Sequence, residues 1–186
     1  MIPLALDPEK LRIGLAGAGA AGARRLASLR AGGAEPVLFT SDATLAAQAP
    51  ALPLPPDAEA LAGLRILYIA GLEAEDYVPL AETARAARVL VNVEDVPALC
   101  DFHAVAEVRR GDLLLTVSTG GAAPGLAGVI RQALERCFAP EWAGRVAELA
   151  NLRRAWRAEG VPMAEAARRI AALVRERCWL SCPASE

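Results

Sequence analysis

Arg12 to Gly22 reads Arg-Ile-Gly-Leu-Ala-Gly-Ala-Gly-Ala-Ala-Gly, and no other stretch of the chain limits the fold so strongly. An apolar strand over 12–16 runs straight into Gly17-x-Gly19-x-x-Gly22. A helix over 20–31 follows, with Ala23, Leu26, Ala27 and Arg30 at helical spacing and Gly32-Gly33 as its stop. Strand, glycine loop and helix in that order are what a dinucleotide site requires. The first glycine makes the tight turn, the second lets the backbone approach a pyrophosphate, and the third lets helix and strand pack closely. The amides of the helix N-terminus then face the negative charge. Gly17, Ala18, Gly19 and Gly22 are therefore candidate cofactor residues. The competing reading is a tight turn that uses glycine for packing alone.

Further short apolar runs alternate with helical patterns. Val37-Leu38-Phe39 reads as a second strand, 65–70 as a third, 89–93 as a fourth and 113–117 as a fifth. Helices are expected over 75–88 and from Gly125 onward. The stretch 49–57 carries Pro50, Pro53, Pro55 and Pro56 and must be a loop. Such alternation predicts an α/β fold with a Rossmann-like parallel sheet covered on both faces. After Pro140 the pattern changes. Trp142, Val146, Leu149 and Trp156 form one stripe, Met163, Ala167, Ile170 and Val174 a second, and Gly160-Val161-Pro162 breaks them apart. A small helical appendage is expected there, its stripes serving as core or dimer surface.

With 22 acidic and 20 basic residues the net charge is −2, so no global field recruits nucleic acid. Lys10 is the single lysine; the other basic residues are arginines, the better fork for carboxylates and phosphates. The first residues lack a basic segment followed by a long apolar run, so no signal peptide is expected. No apolar run approaches the ~20 residues of a membrane span, and a cytoplasmic location follows as the expectation. Cys100, Cys137, Cys178 and Cys182 are scattered, as in a chain that keeps its thiols reduced. Cys178 and Cys182 lack partner ligands, so no metal site is expected.

Ligands of open α/β sheets bind beyond the carboxyl ends of the strands, where three polar clusters are expected. Ser41-Asp42 follows the second strand, with Asp42 about 20 residues past the fingerprint, where an acid commonly holds the ribose hydroxyls. No arginine stands there for a 2′-phosphate, which favours NAD over NADP. A plain helix cap is the alternative for Asp42. The second cluster, Asn92-Val93-Glu94-Asp95-Val96-Pro97, offers a carboxylate to the cleft, or else Asp95 caps a helix. The third, Ser118-Thr119-Gly120-Gly121, offers hydroxyls and amides to an anion such as a substrate carboxylate, or else is a simple turn. His103, the single histidine, reads as packed or hydrogen-bonded rather than metal-ligating. Arg109-Arg110 reads as a solvated turn or as a fork for a polycarboxylate.

In this order the motifs resemble the precorrin-2 dehydrogenase/sirohydrochlorin ferrochelatase family, the N-terminal part of siroheme synthase and its stand-alone forms. The resemblance runs from Pro3-Leu-x-Leu6-Asp7 through Gly17-x-Gly19. It is most specific at Asn92-Val93-Glu94-Asp95-x-x-x-x-Cys100-Asp101-Phe102 and at Ser118-Thr119-Gly120-Gly121-x-x-Pro124-x-Leu126-Ala127. It implies NAD-dependent oxidation of precorrin-2 to sirohydrochlorin, often followed by insertion of Fe2+. It also implies a homodimer with an NAD-binding domain over 1–112, a central dimerisation and substrate segment over 113–139, and a C-terminal helical domain over 140–186. In that family the last residue of Asn-Val-x-Asp is catalytic, which here is Asp95. The NAD contacts map to Ala20, Ala21, Ser41 and Asp42, with Gly71 at the end of the third strand beside the nucleotide. Ser118, Thr119, Gly120 and Gly121 become the substrate loop.

The chemistry suits these residues. Precorrin-2 must surrender a proton as it is oxidised, and an aspartate in a dry cleft can take it. The same carboxylate could collect pyrrole protons as iron enters. The stand-alone form implies a separate methyltransferase that supplies the substrate. Two other readings remain: a relative that only inserts metal, and a non-catalytic NAD-binding sensor.

Overall fold

A computed structural model describes residues 2–181. The chain divides into two compact units, Met1–Ala104 and Val105–Glu186. The first is built as a 3-10 turn, Pro8–Lys10, then β1 (Ile13–Gly17), α1 (Gly19–Ala31), β2 (Val37–Phe39), α2 (Ala43–Ala46), β3 (Ala51–Leu52), α3 (Ala58–Ala62), β4 (Ile66–Ala70), α4 (Ala74–Ala86) and β5 (Leu90–Val93). The strands form one sheet in the order β3-β2-β1-β4-β5, every pair parallel. All five residues of β1 are buried, as the central strand of a doubly covered sheet must be.

Side-chain alternation divides the core between the two faces. Leu67 and Ile69 of β4 join Phe39, Leu61, Leu80, Ala84 and Val91 beneath α3 and α4. Tyr68 and Ala70 turn the other way, to Leu15, Leu26, Leu38 and Leu45 beneath α1 and α2. The chain leaves β1 toward β2 and β3, then returns to β4 on β1's opposite side. The order therefore reverses between β1 and β4, and their carboxyl ends flank the crevice where such sheets take ligands.

The second unit contains β6 (Ala106–Arg110), β7 (Leu113–Val117), α5 (Pro124–Cys137), α6 (Trp142–Ala158) and α7 (Met163–Glu176). The sequence pattern predicts no strand over 106–110 and places 113–117 beside the parallel strands. The structure instead pairs β6 and β7 antiparallel, with Gly111 in the left-handed region between them. A two-residue connection can only reverse the chain; a parallel neighbour needs a crossover of roughly a dozen residues. The break between units accordingly falls after Ala104 rather than after 112. Arg109 and Arg110 are strand residues, not a turn. Arg109 pairs with Glu107 at 3.0 Å, and Arg110 donates to the Phe138 carbonyl at 2.7 Å, satisfying the C-terminus of α5.

The two helices expected after Pro140 are present. Trp142 is buried, and Arg145 lies over both Trp142 and Trp179, which ties the start of α6 to the end of α7. Met163 is exposed rather than core. Cys100 and Cys178 are free thiols. Cys182 lies outside the described residues. No helix among the described residues is long and apolar enough to cross a membrane.

Candidate functional site

The glycine loop is assembled by contacts that exclude side chains. Gly17 and Gly22 touch backbone to backbone: a β-carbon on Gly17 would stand 2.9 Å from the Ala70 carbonyl and 3.2 Å from Gly22 Cα. That contact brings α1 down onto β1. Gly19 has φ +59°, with nothing within 4 Å of where its β-carbon would be. Packing does not require glycine there; left-handed backbone does, and the open space beside it is available to a ligand. Gly71 has φ +71°, and a β-carbon there would lie 2.2 Å from the Ala18 carbonyl oxygen. It lets the end of β4 close against the loop.

Helix α1 begins without a side-chain cap and without an acid in its first turn. Its opening amides, Ala20 and Ala21 among them, therefore have no partner of the helix's own making. A cavity of about 240 Å³ is lined by Gly19, Ala20, Ala23, Asp42, Thr44, Leu45 and Gln48. Asp42 sits at its wall. One carboxylate oxygen accepts the Gly19 amide at 2.8 Å; the other accepts the amides of Thr44 at 2.8 Å and Leu45 at 3.2 Å. Asp42 thus caps α2, as the alternative reading has it, and its other oxygen faces the glycine loop. These amide hydrogen bonds, that of Gly19 foremost, hold its carboxyl below the ordinary 3.8. Thr40, which the sequence reading passed over, accepts the Asp42 amide at 3.0 Å and fixes this corner.

A second hollow, of about 350 Å³, adjoins the same strand ends. Ser41, Leu54, Leu72 and Leu80 line it, with Glu75 and Asp76 from the first turn of α4. The sequence had marked Ser41 alone of this group.

Asp95 lies just beyond β5, at the same carboxyl edge of the sheet. The turn from Val93 to Val96 closes with the Val96 amide on the Val93 carbonyl, and Asp95 stands at its third position with φ +62°. Negative then positive φ is the type II pattern, which favours glycine at that place. An aspartate held there is strained, and such strain collects at functional positions. Asp95 is exposed rather than enclosed in the dry cleft expected for it, and its carboxylate has no hydrogen-bond or ion-pair partner among the described residues. It does not cap the following 3-10 turn, Pro97–Leu99, whose N-cap is Val96.

The residues around Asp95 form a clamp. Buried Asn92 donates to the Phe102 carbonyl at 2.9 Å. The Cys100 thiol donates to the Val93 carbonyl at 3.2 Å. Asp101 accepts the Val91 amide at 2.9 Å and pairs with Arg85 at 3.0 Å, while Arg85 also donates to the Leu99 carbonyl at 2.7 Å. Residues 97–102 are thereby folded back along the outer edge of β5, and the turn bearing Asp95 is pinned at both ends. On the inner side, Arg25 of α1 lies over the Tyr68 ring and pairs with Glu94 at 3.6 Å. His103 is exposed.

Ser118–Gly121 does not belong to this sheet edge; it follows β7 in the second unit. Gly120 and Gly121 both have positive φ. The Ser118 hydroxyl accepts the Gly120 amide and the Thr119 hydroxyl the Ala123 amide, each at 3.2 Å, so both side chains shape the entry to α5. The Gly121 amide has no partner among the described residues.

Residues 4–106 match a family model described as NAD(P)-binding. A siroheme synthase of Methylococcus capsulatus is 40% identical over 88 residues, covering 47% of this chain and 18% of that protein. The siroheme biosynthesis protein met8 of Schizosaccharomyces pombe is 36% identical over 93 residues, covering 50% of this chain and 35% of that protein. The chain thus spans only a minor part of these relatives' lengths. Among solved structures, SirC, a precorrin-2 dehydrogenase, superposes with a TM-score of 0.72 at 18% identity, covering 97% of this chain and 93% of that one. The fold is shared with it throughout.

Proposed function

Since the chain belongs to the NAD(P)-binding family, we propose that it is an NAD-dependent precorrin-2 dehydrogenase of siroheme synthesis. One observation carries this reading: a strained, exposed, unpartnered carboxylate, Asp95, is clamped on the same sheet edge as a glycine loop shaped for a dinucleotide.

The residues present fit the cofactor. The open space at Gly19 would admit the pyrophosphate, and the uncapped amides of Ala20 and Ala21 would answer its charge. Gly17, Ala18, Gly22 and Gly71 hold the loop in that shape. Asp42, with Ser41 beside it, would hold the ribose hydroxyls; among the described residues no basic side chain lines either hollow, which supports NAD rather than NADP. When bound, NAD supplies the acceptor for the electron pair leaving the macrocycle, and the protein's part is positioning and proton removal. Asp95 takes the proton, and the clamp of Asn92, Cys100 and Asp101 keeps its turn from yielding as the charge changes.

Ser118, Thr119, Gly120 and Gly121 are the proposed carboxylate-binding loop of the second unit, supported by the unpartnered Gly121 amide. The chain is proposed to work as a cytoplasmic homodimer joined through residues 113–139. Leu126, Val129 and Ile130 of α5 form an exposed apolar stripe.

Anaerobic incubation with precorrin-2 and NAD tests the proposal by the appearance of sirohydrochlorin absorbance. Asp95→Ala should abolish turnover and keep NAD binding. Failure of the wild-type protein to form sirohydrochlorin, or an Asp95→Ala variant with full turnover, overturns it. Adding ferrous iron to the product reads whether metal insertion follows.

A further inference from the structure

Arg25 and Glu94 form a charge pair that neither the glycine fingerprint nor the Asn-Val-x-Asp motif requires. Arg25 stands on α1, six residues past Gly19, and its side chain is only 15% exposed. Its guanidinium lies 5.2 Å above the Tyr68 ring, which Phe102 braces edge-on with 5.2 Å between centroids. From there its Nη2 reaches Glu94 Oε1 at 3.6 Å, while Glu94 is 23% exposed. The other carboxylate oxygen, Glu94 Oε2, is buried with no hydrogen-bond partner among the described residues.

As a stabilising device this arrangement is poor. A mostly buried pair at this distance, with one acceptor orphaned, is no better for stability than apolar residues of the same volume. Its location is what gives it meaning. Glu94 directly precedes Asp95, and its amide is fixed on the Ile69 carbonyl at 2.9 Å. With the backbone held there, the direction of the Glu94 side chain and the rotation of the turn that presents Asp95 are coupled. At the other end, Arg25 rides on the helix whose first turn faces the glycine loop. The pair spans from the nucleotide helix across β4 to the turn of the proton acceptor.

We propose that Arg25 and Glu94 are positioning residues, a strut over Tyr68 that sets the Asp95 carboxylate relative to the nucleotide site. The inference rests on the reading of Asp95 as proton acceptor. A device of this kind acts on the chemical step, because small displacements of a reacting group are expensive there and cheap in binding.

Arg25→Gln and Glu94→Gln, made in the full chain, separate this role from a merely structural one. Each should lower kcat at saturating NAD and precorrin-2 by about 10- to 100-fold, with KM and the NAD dissociation constant within about twofold of wild type. Each variant leaves its partner's charge uncompensated and lowers the melting temperature, so kcat is read per folded molecule. Arg25→Lys, which keeps the charge, should retain more of kcat than Arg25→Gln, and the double glutamine variant should be no worse than either single one. Unchanged kcat, a loss no larger than the unfolded fraction, or losses that multiply would overturn the strut. In parallel, the backbone amide resonance of Asp95 should shift in Arg25→Gln despite the distance in sequence, and an unmoved resonance also overturns it. If the wild-type chain gives no turnover, the dehydrogenase reading fails by itself, and the resonance still decides whether the pair governs the turn.

Discussion

Asp42 accepts the amide of Gly19 at 2.8 Å across 23 positions of sequence, and the same carboxylate caps α2. One side chain thus locks the glycine loop to the end of β2. Its carboxyl is lowered on folding, chiefly by Gly19 and then by Leu45 and Thr44. A group lowered in this way stabilises the fold fully above its unfolded value, and that contribution disappears as pH falls through the folded value. Below about pH 4 the lock should therefore weaken. Asp42→Asn, which keeps a capping oxygen but cannot change charge, should lose less melting temperature than wild type between pH 6 and pH 3. Thermal melts across that range check this.

Gly71→Ala and Gly19→Ala should fail in opposite ways. At Gly71 the new methyl meets the Ala18 carbonyl at 2.2 Å in a left-handed backbone, so a loss of about 2–4 kcal/mol is expected. At Gly19 the methyl meets nothing, and the backbone alone costs about 1 kcal/mol. Nucleotide affinity should nonetheless fall there by about tenfold or more, because the methyl takes space the pyrophosphate needs. Denaturant unfolding and calorimetric titration with NAD read the two effects separately.

Asp95→Gly should gain stability as it loses activity. The residue at φ +62° is relieved of its side-chain strain, worth about 0.5–1 kcal/mol, while the proton acceptor disappears. Asp95→Asn keeps the strain and should lose turnover without the gain. Melting curves beside the sirohydrochlorin assay distinguish them.

Val129→Glu on α5 should leave a folded monomer. Val129 is 63% exposed and Leu126 52%, so a charge there is harmless in a single chain and intolerable between two apolar stripes. Light scattering during size exclusion should show the mass halved. A wild-type protein that is already monomeric removes the proposed dimer.

Much of the nucleotide half was legible because its signals are local. β1, β4 and β5 are apolar runs, as strands covered on both faces must be, and the glycine spacing fixes where α1 begins. The distance of Asp42 from the fingerprint singles it out as a candidate. Strand β6 was not found, since Ala106-Glu-Val-Arg-Arg carries three charges in five residues; Glu107 and Arg109 neutralise each other on one face only once the strand exists.

What the order of residues could not disclose is which distant groups meet. Nothing near Asp101 announces that it will receive the Val91 amide and Arg85, and nothing near Arg25 announces Glu94. Backbone preference and hydrophobic period act over a few residues, so they reveal strands, turns and helix ends. Partners across the sheet depend on strand order and on which face each side chain takes. The local chemistry of the glycine loop was therefore written in the chain, whereas the clamp and the strut around Asp95 came into being with the packing of β5 beside β4.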